Sequence, residues 1–176
     1  MTNKSWDEVR KRRTLLADER ERVHLRSRHG PALVQAINEA ASCSLSIDDF
    51  RASTLEWDIV WPQDIRDAPG LVRAYVGQAE ALRVMQCVER RLGPLDGEIG
   101  FHEKAYLGFA PVSGFAVTSM VAIAASTGDS ALFHSESAGV VMLVDCYGNT
   151  ADEQFSVMIQ GAGVPPGLAV SFPAKR

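Results

Sequence analysis

Ser130-Ala131-Leu132-Phe133-His134-Ser135-Glu136-Ser137-Ala138-Gly139-Val140-Val141-Met142-Leu143-Val144-Asp145-Cys146-Tyr147 decides how the chain is read. Apolar stretches over 130–136 and 139–147 flank the turn formers Ala138-Gly139, the pattern of two paired strands. The unbroken run Val140 to Val144 is what a strand covered on both faces requires. Outward from this hairpin the same grammar repeats. Ser113-Gly114, Gly128-Asp129 and Gly148-Asn149 punctuate short apolar runs. Strands are expected over 100–111, 115–125 and 154–160, with a last one over 168–172. The small residues of Phe115 to Ser126 suit a buried helix equally well, so that segment has two readings.

Upstream the grammar changes. Residues 1–93 hold 15 Lys/Arg, 14 Asp/Glu and 4 Gly, whereas 94–176 hold 3, 8 and 10, a net charge of −5. A charged, glycine-poor stretch followed by a glycine-rich one reads as helices first and sheet afterwards. The expected fold is α+β, a single domain over 1–176, with N-terminal helices packed on one face of a mostly antiparallel curved sheet.

Within 1–93 the clearest helix runs from Trp6 to about Arg28, with opposite charges at helical spacing (Asp7 with Lys11, Glu8 with Arg12, Asp18 with Arg22). Trp6, Val9, Leu16 and Val23 form a narrow apolar stripe, expected to lie against the rest of the chain or against a second copy. Gly30-Pro31 is expected to end this helix and start another, whose buried face is Leu33, Val34, Ile37 and Ala41. Ser46 with Asp49 three residues on reads as a helix start, stapled by Leu45 and Phe50. Trp57 to Trp61 alternates like a short strand. Leu71 to Leu92 reads as one amphipathic helix carrying Val72, Tyr75, Ala79, Leu82, Met85 and Val88, stopped by Gly93-Pro94.

Composition sets the remaining bounds. The 176 residues carry 18 basic and 22 acidic groups and 46% apolar side chains, within the range of ordinary globular proteins. At pI about 5.6 the whole chain offers no general attraction to nucleic acid. Cys43, Cys87 and Cys146 are odd in number and form no C-x-x-C pair, so a disulfide framework is not expected. The charged stretch Met1 to Arg13 lacks the apolar core of a secretory signal, and no run approaches the ~20 apolar residues of a membrane span. A cytoplasmic location is expected. Arginine outnumbers lysine 14 to 4, a bias associated with GC-rich bacterial genomes.

Three apparent motifs fail on chemistry. Gly128-Asp129-Ser130 looks like a hydrolase nucleophile block, but the last histidine, His134, stands only four residues beyond the serine, and a tight turn between strands explains the glycine. His102-Glu103-Lys104-Ala105-Tyr106 puts a tyrosine where a zinc helix of the H-E-x-x-H type needs its second histidine. Gly161 to Gly167 contains Pro165 and Pro166, which offer no N–H to a phosphate. No cofactor or metal is expected.

Two functional readings remain. The favoured one is a small non-enzymatic protein that binds another protein, in the manner of an inhibitor, immunity factor, chaperone or adaptor. Its acidic β half suits a basic partner through charge steering. Arg12, Arg13, Arg20 and Arg26 of the first helix are the candidate partner-binding residues, and a homodimer through that helix stays open. Asp18, Glu19 and Glu21 interrupt the basic run, which argues against a phosphate-tracking surface. The alternative is a small-ligand-binding or hydrolytic domain with a pocket lined by the sheet. It would use His102, His134, Asp145 and Cys146, with Glu103 beside them, for acid–base or Cys/His chemistry.

Overall fold

The computed structural model describes residues 3–51, 72–102, 104, 106–147 and 155–168, with 3–13 and 72–75 described by their backbone. The elements in chain order are α1 (Asn3–Ala41), a 3-10 turn η1 (Ile47–Asp49), β1 (Val72–Val76), α2 (Gln78–Leu92), β2 (Leu95–Phe101), β3 (Phe109–Phe115), α3 (Ser119–Thr127), β4 (Ala131–Ser135), β5 (Val140–Cys146) and β6 (Phe155–Gln160). The strands form one sheet in the order β1-β6-β5-β4-β2-β3, and every neighbouring pair is antiparallel. The fold is therefore α+β, with helices on one face of an antiparallel sheet. The expected strands over 57–61 and 168–172 lie outside the described residues, apart from Leu168.

The hairpin at 130–147 forms as its pattern predicts. Leu132 pairs with Leu143 and Phe133 with Met142, around a turn in which Gly139 N–H donates to Glu136 O at 3.0 Å. Alternation sends Phe133, Met142, Val144, Val157 and Ile159 toward the helices, where they pack with Phe101, Ile99, Val84, Met85, Met120 and Ile123 in one core. Phe115 stacks on Phe133 with ring centroids 5.0 Å apart.

Four expectations need correction. The stretch 100–111 is not one strand, because β2 ends at Phe101 and β3 starts at Phe109. At Gly108 φ is +87°, and a Cβ there would run into the backbone of Arg51, so only glycine fits the return. Of the two readings of 115–126 the helix holds, since Met120, Val121, Ile123 and Ala124 all reach the core from α3.

The third correction concerns 71–92. Val72–Val76 is a strand paired with β6, and α2 begins only after Gly77. Pairing to an otherwise open edge of the sheet outweighs the helical spacing there. The buried face of α2 is Ala81, Val84, Met85 and Val88, and Leu82 is 39% exposed.

The fourth concerns the N-terminal helix. It runs unbroken from Asn3 to Ala41 through Gly30 and Pro31. An internal proline costs a helix about 3 kcal/mol. Burial of Leu33, Val34 and Ile37, at about 1.5–3 kcal/mol for each full side chain, exceeds that cost. The carbonyl that Pro31 deprives of a partner belongs to Ser27, on an exposed turn. Gly30 is a packing residue: a Cβ on it would sit 2.5 Å from Ile47 Cδ1. The expected stripe does not lie against the chain along its whole length. Residues 14–24 are all exposed, Leu16 by 53% and Val23 by 56%.

Side chains of α1 hold the following segment in place. Asn38 donates to Leu45 O and accepts from Leu45 N–H, both at 2.8 Å. The Asp49 carboxylate accepts from Ser46 N–H at 2.7 Å and from its hydroxyl at 2.8 Å, which keeps it below the ordinary carboxylate range. Arg51 and Phe109 exchange two backbone hydrogen bonds at 2.8 and 2.7 Å. Between these ties, the Arg26 guanidinium donates to Ile47 O, Phe50 O and Leu107 O over 2.5–3.2 Å. Replacing Arg26 with Met leaves three carbonyls short of a donor, and urea unfolding is expected to show a loss of about 3 kcal/mol. The same change at Arg22, in an exposed pair with Glu19 at 3.2 Å, is expected to cost under about 1 kcal/mol.

Candidate functional site

The sheet face turned away from the helices is built in three rows by strand register. The middle row is apolar, running from Phe109 on β3 over Gly100 on β2 to Leu132, Leu143 and Met158. The last three are only 3%, 8% and 4% exposed. On one side lies a polar row with Ser130, Asp145 and Ser156, in which the Ser130 hydroxyl donates to Asp145 Oδ1 at 3.1 Å. His102 joins it through its backbone N–H, which donates to Ser130 O at 3.2 Å. On the other side lies the row Glu98, His134, Val141 and Gln160.

This register separates the four candidate catalytic residues. His134 pairs with Val141, four positions along β5 from Asp145, or about 13 Å at strand rise. Cys146 follows Asp145 in the strand and therefore points through to the helix side, where it packs against the core. Burial and the neighbouring Asp145 carboxylate push its thiol pKa up, the opposite of what a nucleophile needs. Only His102 and Asp145 share a neighbourhood, and Glu103 lies outside the described residues. Burial pushes the His134 imidazole pKa down, opposed by Glu98 and Glu136.

The Gly128-Asp129-Ser130 stretch is a helix-to-strand connection rather than a turn between strands. Gly128 closes α3 with its N–H on Ala124 O at 2.9 Å. Asp129 Oδ1 accepts from Ser130 N–H at 2.7 Å, and its other oxygen pairs with Lys104 Nζ at 2.8 Å. The Ser130 side chain is thus a buried donor to a carboxylate, with none of the geometry of an activated nucleophile. Among the described residues no cluster of three or more His, Cys, Asp or Glu side chains is placed to hold a metal.

Lys104 leads to a feature that the sequence did not mark. A cleft of about 520 Å³ separates Leu25, His29, Ala32 and Leu33 of α1 from Lys104 and Tyr106 in the β2–β3 connection. Burial, and secondarily Asp129, push the Tyr106 phenol pKa up while Lys104 pulls it down, so the phenol remains a proton donor. The available signal was His102-Glu103-Lys104-Ala105-Tyr106, which matters for its lysine and tyrosine rather than as a failed zinc motif.

The arginine candidates divide. Arg20 lies on the exposed turns of α1, and Arg26 is bound to the three carbonyls named above. The side chains of Arg12 and Arg13 lie outside the described residues. No helix among the described residues is long and apolar enough to cross a membrane. Comparison of the chain with protein-family models, curated proteins and solved structures finds no match.

The depressed His134 pKa has a consequence for stability. Below the unfolded value near 6.5 the unfolded chain takes up a proton that the folded chain resists, so stability falls with pH. Unfolding free energies measured from pH 7 to pH 5 are expected to decline, and His134→Gln to flatten that decline. Asp49 and Asp96, whose folded values lie below the ordinary carboxylate range, titrate outside this window.

Proposed function

We propose that this chain is a non-enzymatic protein-binding module whose recognition element is the N-terminal part of α1. One observation carries the reading. Leu15, Leu16 and Val23 are 68%, 53% and 56% exposed on a helical stretch in which every residue from 14 to 24 faces solvent. Large apolar side chains grouped on one exposed element are a signature of association surfaces. The distance of His134 from Asp145 along β5, and the opposite sheet faces taken by Asp145 and Cys146, support a binding role over a catalytic one.

The partner is a protein that offers an apolar groove with an acidic rim. Residues 1–28 hold 9 basic and 5 acidic groups, so the helix brings positive charge alongside its leucines. Arg20 is on this face, Arg12 and Arg13 extend the same helix, and Arg26 anchors it instead of contacting the partner. The surplus acidity of 94–176 is a weaker lead toward a basic partner. Two of its carboxylates are engaged within the chain, Asp129 with Lys104 and Asp96 with Ser113 and Gly114. Inhibitors, immunity factors, chaperones and adaptors all fit such a surface.

A photo-crosslinker placed at Leu16 is expected to capture an acidic partner in salt-sensitive fashion, while the same group at Leu82 on α2 captures none. The double variant Leu16→Glu/Val23→Glu is expected to abolish capture with an unchanged melting temperature. Undiminished capture by that variant would remove the arm from the account. Crosslinks joining two copies of the chain would replace the acidic partner with a homodimer.

A further inference from the structure

We propose that the docking surface is a corner, made of one face of the α1 arm and the exposed side of η1, and that its occupant is a folded acidic protein broad enough to touch both. This rests on the docking role of α1 proposed above, and adds the face that is used and the body surface that completes it. Helical spacing selects the face. At about 100° per residue, Leu15, Leu16 and Glu19 stand five whole turns before Leu33, Val34 and Ile37 and so point the same way. Val23 falls between Leu16 and Glu19 in angle. The second trio is buried on the core. The exposed apolar face is thus the continuation, past Arg26, of the face on which α1 packs.

Charge favours the same face. Arg20 and Arg22 border it on its two sides, and the carboxylate within it, Glu19, is paired with Arg22 at 3.2 Å. Glu21 lies on the opposite side of the helix. An apolar strip with a guanidinium along each border complements an apolar groove with an acidic rim. Where the strip reaches the body it meets η1. Gly30 belongs to this face, and the Ile47 side chain fits against it so closely that no Cβ has room there. Ile47 O and Phe50 O are held by the Arg26 guanidinium, and Asp49 closes η1 onto Ser46, so the turn is a fixed floor. Asp48 is exposed on it. Its carboxylate sets a non-acidic part of the partner against η1 and leaves the acidic rim toward Arg20 and the basic stretch before it.

Area calls for both elements. Half the circumference of the arm from Asn3 to Val23, a rod about 30 Å long and about 11 Å across, offers on the order of 500 Å². Specific complexes bury about 800 Å² on each partner. The arm face falls short by itself, and the next surface along the same face of α1 is η1. A short peptide laid on the arm would leave η1 untouched, whereas a folded body seated on the arm comes to rest against it.

The test places a photo-crosslinker in the full chain at Leu16, at Asp48 or at Glu21, all exposed positions, and maps the crosslinked peptides by mass spectrometry after irradiation in lysate of the native host. One and the same acidic protein is expected at Leu16 and at Asp48, joined through different stretches of its sequence, and is expected to be missing at Glu21. Adding Leu16→Glu/Val23→Glu to the Asp48 probe is expected to abolish its capture there too, because the arm and η1 hold one body. Capture at Leu16 without capture at Asp48, equal capture at Glu21, or capture at Asp48 that survives the double variant would overturn the corner and leave docking by the arm standing. Loss of capture at Leu16 itself, or crosslinks joining two copies of the chain, would remove the acidic partner and the corner together.

Discussion

One guanidinium joins the parts of this molecule. Arg26 reaches from the middle of α1 to the carbonyls of Ile47, Phe50 and Leu107, three groups from two segments distant in sequence. Its planar fork of N–H donors suits that convergence, whereas a lysine would bring a single ammonium to the same place. Phe50 O and Leu107 O are used by no helix or sheet hydrogen bond among the described residues, while Ile47 O also accepts Phe50 N–H at 3.3 Å in η1, so the contact settles backbone groups in a partly buried place. With it made, η1 is fixed between α1 and the edge strand β3, which Arg51 pairs and shields.

The core-packed part of α1 and the stretch proposed for docking lie on either side of this anchor. Toward the C-terminus, Leu33, Val34 and Ile37 seat α1 on the core, and their burial carries the helix through Pro31, while Gly30 makes room for Ile47. Toward the N-terminus the same helix leaves its support and exposes Leu15, Leu16 and Val23. Against the anchor itself, the turn ending at Leu107 presents Lys104 and Tyr106 to the cleft.

How far the sequence foretold this depends on the kind of signal. The hairpin at 130–147 was legible because a period of two and a marked turn agree locally. The capping contact of Asp49 with Ser46 was legible for the same reason. The strand Val72–Val76 was not, since its spacing also fits a helix and only pairing with β6 decides between them. The continuity of α1 was hidden because Gly30-Pro31 is an ordinary helix boundary, and the burial of Leu33, Val34 and Ile37 that overrides it comes from tertiary packing. Arg26 was indistinguishable from its basic neighbours until its carbonyl partners were in place. His134, Asp145 and Cys146 were grouped by residue type, and strand register, which assigns face and level, separates them. Tyr106 was visible only as the residue that spoils a zinc motif, because a cleft is a property of two elements and not of one segment.

The account rests on α1 being divided at Arg26 into an anchored half and an unsupported half. Native-state hydrogen exchange on the dilute, partner-free chain measures that division residue by residue. Amides of residues 33–41 are expected to exchange only through global unfolding, and those of 14–24 at least about a hundredfold faster through local fraying. Equal protection along the whole helix would contradict the account, because it would mean that the exposed half is held by something other than its own hydrogen bonds.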